Sequence, residues 1–155
     1  MVKLGKNDLH LMVSGKSNTA KLFDASGKLL KTFECFPHGV NGPAINVTGG
    51  DTVPGTYRYG NVTWTQPSES IELVKRPYGP CFIEMVDVER VEAAVGRAGI
   101  GSHGGGSWED YDQPFQKLAL TMGCIRFKNQ EIIELGKLVD SKHATRANVY
   151  VTVSQ

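Results

Sequence analysis

A histidine set in a glycine run, Ser102-His103-Gly104-Gly105-Gly106, precedes a cysteine in Thr121-Met122-Gly123-Cys124-Ile125-Arg126. A thiol and an imidazole are what nucleophilic acyl transfer needs. The thiolate attacks, and a neighbouring imidazole takes its proton and holds it for the leaving group. Glycines beside both residues let backbone N–H groups approach a substrate carbonyl closely, as an oxyanion hole requires. His103 and Cys124 are therefore the candidate base and nucleophile.

The other two of the three cysteines, Cys35 and Cys81, lie in apolar, strand-like runs. They read as buried small hydrophobes. Cys124 differs, with glycine before it and arginine two residues after it. An odd cysteine count leaves at least one thiol free unless two chains are joined by a disulfide.

The elements that must position the pair read mostly as strands. Leu9–Val13, Ala20–Phe23 and Lys28–Phe36 are strand candidates, the last two forming a hairpin over Asp24-Ala25-Ser26-Gly27. Val40–Val53 is a Gly-, Asn- and Thr-rich loop. Gly55–Tyr59, Ile71–Val74 and Cys81–Val86 are further strands, the last a buried central one. Gly99–Gly106 is too rich in glycine for a regular element, and Trp108–Pro114 reads as an exposed flap. A helix is expected over Gln130–Val139, capped by Asn129, with Ile132, Leu135, Gly136 and Val139 on one face. The alternation Val149-Tyr150-Val151-Thr152-Val153 ends the chain as a strand.

Composition removes several function classes. The chain has 155 residues, 17 basic and 16 acidic side chains and a net charge of +1. It is sized for one domain, residues 1–155. The even charge balance argues against a nucleic-acid partner. No run approaches the roughly 18 apolar residues of a membrane span. Met1 to Asp8 lacks the pattern of a secretory signal peptide, so the expectation is a soluble chain that stays in the cytoplasm, is exported by a route needing no signal peptide, or has been trimmed. Asn46-Val47-Thr48 and Asn61-Val62-Thr63 are then chance matches to the glycosylation pattern.

Other motifs fail on context. Gly99-Ile100-Gly101-Ser102-His103-Gly104 fits G-x-G-x-x-G, but no helix opens after it and no acidic residue follows at the required distance. His-Gly-Gly-Gly without a G-x-S-x-G elbow does not make an esterase. His10, His38 and His143 are isolated and no C-x-x-C occurs, so no zinc site is expected.

Gly123-Cys124-Ile125-Arg126, with Phe127-Lys128-Asn129 and a helix carrying Ile132-Ile133-Glu134-Leu135, resembles the signature of the L,D-transpeptidase (YkuD-type) catalytic domain. Ala20–Lys28, Asp51-Thr52-Val53-Pro54-Gly55-Thr56-Tyr57, Tyr78-Gly79-Pro80 and the terminal Val149–Val153 strand are similar to further pieces of that family, in family order. Met122 stands where many members carry histidine, and the His-to-Cys interval is longer, with the extra length near Trp108–Asp112.

The resemblance implies a mostly β fold, an L,D-transpeptidase-like β-sandwich with one or two helices. Cys124 would attack the third residue of a peptidoglycan tetrapeptide stem and expel the terminal D-alanine. His103 would act as base, oriented by the Gly104 carbonyl. Backbone near Gly123 would hold the oxyanion, with Ser102 and Met122 nearby, and Arg126 is a candidate for a substrate carboxylate. Tyr57, Trp108 and Tyr111 are candidates for the groove. An amine or water then resolves the thioester, with no metal or organic cofactor. Two alternatives stay open. One is a same-fold hydrolase delivered as an antibacterial effector or phage lysis protein, with an immunity or delivery partner. The other is a wall-binding module without chemistry. Either way the partner is peptidoglycan, in the cell wall or periplasm.

Overall fold

The computed structural model describes residues 2–155. Eight strands close on themselves: β1 (Leu9–Ser14), β2 (Thr19–Asp24), β3 (Leu29–Phe36), β4 (Gly55–Trp64), β5 (Cys81–Asp87), β6 (Gly101–His103), β7 (Ile125–Phe127) and β8 (Val149–Ser154). Around the barrel the order is β1-β2-β3-β7-β6-β5-β4-β8. The expected sandwich of two facing sheets is thus replaced by one continuous closed sheet. The closure has a clear cause. β8 buries Val149, Val151 and Val153 and uses both of its edges, pairing parallel to β1 and antiparallel to β4. No strand edge is left at that point to bound a separate sheet.

Inward alternation fills the barrel. Leu9, Leu11 and Val13 of β1, Phe33 and Cys35 of β3, Tyr57 and Tyr59 of β4, and Cys81, Ile83 and Met85 of β5 form a common core. Cys35 and Cys81 are buried free thiols within it. At the β2–β3 hairpin, Gly27 adopts φ +89° and its N–H donates to Asp24 O.

Three helices decorate the barrel: α1 (Arg76–Tyr78), α2 (Val91–Ala94) and α3 (Asn129–Ala144). α3 buries the expected face of Ile132, Leu135, Gly136 and Val139 against β4, β5 and β6. Its cap differs from expectation. Lys128 is the N-cap and makes no side-chain capping bond, since an ammonium cannot accept an N–H, while Asn129 is already inside the helix with its side chain committed elsewhere.

Two further segments depart from the sequence reading. Ile71–Lys75 forms a π-helical turn running into α1, not a strand. Ser70 Oγ accepts the Leu73 N–H and Pro77 sits in the first turn of α1, which favours helical geometry over the apparent alternation. The glycine run, expected to be irregular, contains β6. Three residues suffice because both edges are paired, Phe82 with His103 on one side and Ser102 with Ile125 on the other. Among the described residues, no helix is long and apolar enough to cross a membrane.

Candidate active site

β6 and β7 lie parallel, with Ser102 opposite Ile125 and His103 opposite Arg126. Side chains alternate along each strand, so one face of this pair looks into the barrel and the other out. Ser102 and Ile125 are fully buried in the barrel. His103, Arg126 and Cys124, the last just before β7, share the outer face. β6 thus carries His103, and the start of β7 sets Cys124 on the neighbouring rail.

His103 is fixed from three sides. Phe82 stacks on it at 5.9 Å and Tyr78 meets it edge-on at 5.1 Å. Its Nδ1–H donates to Gly104 O at 2.8 Å, since a carbonyl can only accept. That bond leaves Nε2 as the basic nitrogen. Nε2 has no hydrogen-bond partner among the described residues, and it is not sealed, because the one enclosed unpartnered side-chain nitrogen or oxygen there is Arg76 Nε. Burial, with the Arg126 cation adding to it, pushes the His103 pKa down to about 3. The ring is neutral at physiological pH.

Cys124 is partly buried. Its Sγ lies 4.0 Å from Gly99 O. Burial raises its pKa, the nearby Glu92 carboxylate adds to this, and a hydrogen bond from the Gly101 N–H opposes it, as do the Arg126 and Arg97 cations. The resting pair is therefore a neutral thiol beside a neutral imidazole. Among the described residues the two make no hydrogen bond, which is common before a substrate arrives.

The approach to Cys124 is built by Thr121. Its Oγ1 accepts the Gly123 N–H at 3.0 Å and donates to Cys124 O at 2.7 Å. Gly123 sits at φ +114°, and a side chain there would meet the Arg97 guanidinium. Thr52 Oγ1 holds Gly123 O at 2.8 Å. The Gly123 N–H is thus occupied, whereas the Cys124 N–H makes no such backbone bond among the described residues.

The remaining sequence candidates fall in different places. The Ser102 hydroxyl is shared between Tyr59 Oη at 2.7 Å and Met85 Sδ at 3.3 Å, inside the barrel and away from Cys124. Arg126 is spent on backbone: Nε on Gly104 O, Nη1 on Ala119 O and Leu120 O, Nη2 on Pro77 O. Met122 is 61% exposed at the rim. Tyr57 is buried, its hydroxyl donating to Val53 O, while Trp108 and Tyr111 pack edge-on in the flap at 6.0 Å.

Two amides hold the site together: Asn129, which the sequence reading made a helix cap, and Gln116, which it passed over. Asn129 Oδ1 accepts the Gly105 N–H, and its Nδ2 donates to Tyr111 O and Gln113 O. Gln116, fully buried, donates to Gly105 O and Phe127 O and accepts the Asn129 N–H. These two amides tie the glycine run, the flap and the start of α3 into one unit. Nothing in the sequence context of Gln116 distinguishes it from a surface amide. Arg97 is the other omission. It lines a cavity of about 120 Å³ together with Gly99, Met122, Gly123 and Cys124.

That cavity is below the roughly 300–1,000 Å³ of a drug-sized ligand pocket. It suits one end of a substrate. A larger cleft of about 710 Å³, lined by Trp64, Lys75, Tyr111, Asn129 and Ile133 among others, contains neither Cys124 nor His103. Its size does not make it the site of thiol chemistry. Among the described residues, no three His, Cys, Asp or Glu side chains are placed to share a metal ion.

Comparisons with protein-family models and with curated proteins find no match. Solved structures do match. The helical cell shape determining protein Pgp2 from Campylobacter jejuni aligns over 98% of this chain and 49% of its own, with TM-score 0.61 and 16% identity. Bd1075 of Bdellovibrio bacteriovorus aligns over 98% and 48%, at TM-score 0.60 and 12% identity. A cysteine-to-serine mutant of the Enterococcus faecium L,D-transpeptidase aligns over 97% and 50%, at TM-score 0.56 and 14% identity. The chain spans about half the length of these structures. At such identity the likeness is one of fold: this barrel is similar in fold to solved L,D-transpeptidase structures.

Proposed function

We propose that the chain is a cysteine acyltransferase acting on peptide stems of peptidoglycan. The observation that carries this reading is the β6–β7 pair, which puts a neutral His103, with Nε2 unprotonated, and Cys124 on the same outer face of a barrel similar to L,D-transpeptidases. Substrate binding brings the Cys124 thiol within reach of Nε2. The proton passes to His103 as sulfur attacks the carbonyl of the third stem residue. The Cys124 N–H faces the developing oxyanion, and one such donor is worth about 2.7–4 kcal/mol of barrier. His103 then gives the proton to the leaving D-alanine amine, and the C–N bond breaks. An amine closes the cycle as a cross-link, or water does so as a carboxypeptidase.

The test is mass spectrometry of the intact protein with a carbapenem and, separately, with tetrapeptide muropeptides. An adduct on Cys124 that is absent from Cys124→Ala supports the reading. Cross-linked dimers then identify the amine route and tripeptides alone the water route. An adduct confined to Cys35 or Cys81 sinks it.

A further inference from the structure

A peptide whose last residue is expelled carries a carboxylate two bonds from the amide nitrogen being released. A site for that reaction needs a cation close to the nucleophile. Arg126 adjoins Cys124 in sequence, but its Nε and both terminal nitrogens are bonded to backbone carbonyls. Its fork faces the carbonyls of Pro77, Gly104, Ala119 and Leu120, leaving no planar edge for a carboxylate.

Arg97 is placed differently. It lines the same small cavity as Cys124. Nη1 donates both its hydrogens, to Ile45 O and Asp51 O, and Nη2 donates one to Gly50 O. A guanidinium has five N–H groups. The Nε–H makes no hydrogen bond among the described residues, and Nη2 carries one hydrogen more than Gly50 O takes. Nε is not sealed in either, since Arg76 Nε is the one enclosed unpartnered atom there. Three carbonyls thus hold the cation while its Nε–H is left without a partner among the described residues. Gly123, which immediately precedes Cys124, packs directly against Nη2 of the guanidinium, and Arg97 and Cys124 line one cavity.

The competing anion is Glu92. It is buried nearby and caps its own surroundings, its carboxylate taking a hydrogen bond from the Ile100 N–H. No ion pair joins Glu92 to Arg97 among the described residues, where the salt bridges are Lys31–Glu134, His38–Asp51 and Lys128–Glu34.

We propose that Arg97, and not Arg126, anchors the carboxylate of the residue that Cys124 displaces. This rests on the acyl-transfer reading for its substrate but not for its geometry. The ligand class is any short anion ending in a carboxylate beside the thiol, and in the reaction it is a peptide with a free C-terminus. Held there, the carboxylate fixes which amide faces Sγ. Sulfur forms its bond to that carbonyl carbon, the C–N bond breaks, and the released amine leaves with its carboxylate still on Arg97. An endopeptidase substrate, with chain continuing past the cleaved bond, lacks the group that Arg97 needs.

Two measurements test this on the intact chain. The first compares alkylation of Cys124 by iodoacetate and by iodoacetamide, each scaled to the same reagent on a free cysteine peptide. Losing a charge-assisted contact costs roughly tenfold or more, so the scaled preference for iodoacetate is expected to be about tenfold, and to vanish in Arg97→Gln and Arg97→Lys but persist in Arg126→Lys. The second compares a tetrapeptide stem with its C-terminal amide, with an expected loss of about tenfold or more in kcat/KM for the amide. An iodoacetate preference with both peptides inert overturns the acyl-transfer reading and keeps Arg97 as a carboxylate site. Equal alkylation ratios in the wild-type chain overturn the Arg97 site even if both variants misfold. Equal turnover of acid and amide, or a preference lost only in Arg126→Lys, does the same.

Discussion

The two halves of the candidate site are held by opposite means. His103 lies in a regular strand, clamped by Phe82 and Tyr78, with its tautomer set by Gly104 O. Cys124 lies in a loop, held by Thr121 and Thr52 hydroxyls and by the packing of Arg97 on Gly123. Packing fixes His103, and side-chain-to-backbone hydrogen bonds fix the backbone around Cys124. The first arrangement specifies one orientation and one charge state. The second leaves the thiol at the mouth of a small polar cavity, where a substrate end can enter.

Each half can be broken separately. Cys124→Ala is expected to lower acylation by roughly a thousandfold or more, with little change in thermal midpoint; a midpoint lowered in parallel would make Cys124 a structural residue. On the histidine side, Gly105→Ala should cost about 2–4 kcal/mol in denaturant titration, because φ is +76° and a methyl group would run into the Arg76 carbonyl. On the cysteine side, Thr121→Val should cost about 1–3 kcal/mol by leaving the buried Gly123 N–H unpaired. It should also slow Cys124 alkylation relative to the wild-type chain, with the rate on a free cysteine peptide as the reagent control.

Titration separates the halves further. His103 has a folded pKa below its unfolded value of 6.5, so between about pH 6.5 and 3 the unfolded chain binds the extra proton. Stability from this group is complete above pH 6.5 and falls below it, by up to about 1.4 kcal/mol per pH unit. Burial lowers the His10 pKa as well and acts in the same direction. His103→Asn, which keeps a donor for Gly104 O, should flatten the acid slope seen by chemical denaturation. For Cys124 the shift is upward. Its alkylation rate should keep rising past pH 9 with no shoulder near 6.5; a shoulder there would show His103 exchanging protons with solvent in the resting site.

What the sequence revealed follows the range of the interactions. α3 and the β2–β3 hairpin depend on neighbours a few residues apart, and their apolar spacing and turn glycine are visible directly. β6 depends on partners from β5 and β7, which no local pattern announces, so three residues among glycines read as coil. Ile71–Val74 shows strand-like alternation, but Ser70 and Pro77 impose a helical turn from its two ends. Closure into a barrel is likewise a property of β8 having two partners, not of its composition. At the site, residue types pointed to His103 and Cys124. Sequence adjacency favoured Arg126 as the cation, whereas the unpartnered Nε belongs to Arg97, from a different loop. Charge is legible in a sequence, and whether that charge is already committed is not.

β1 and β8 are neighbours, and the Asn148 N–H bonds to Asp8 Oδ1 across 140 positions. A barrel joined in this way has a high contact order and is expected to fold slowly. The ring cannot close while the chain is still emerging from the ribosome up to β8. The β6–β7 seam, only three residues long on each side, draws its rigidity from that closed ring. Until the last strand docks, thiol and imidazole belong to a ring that is still open. Reactivity at Cys124 would then arrive late and all at once, which limits promiscuous thiol chemistry by the half-made chain.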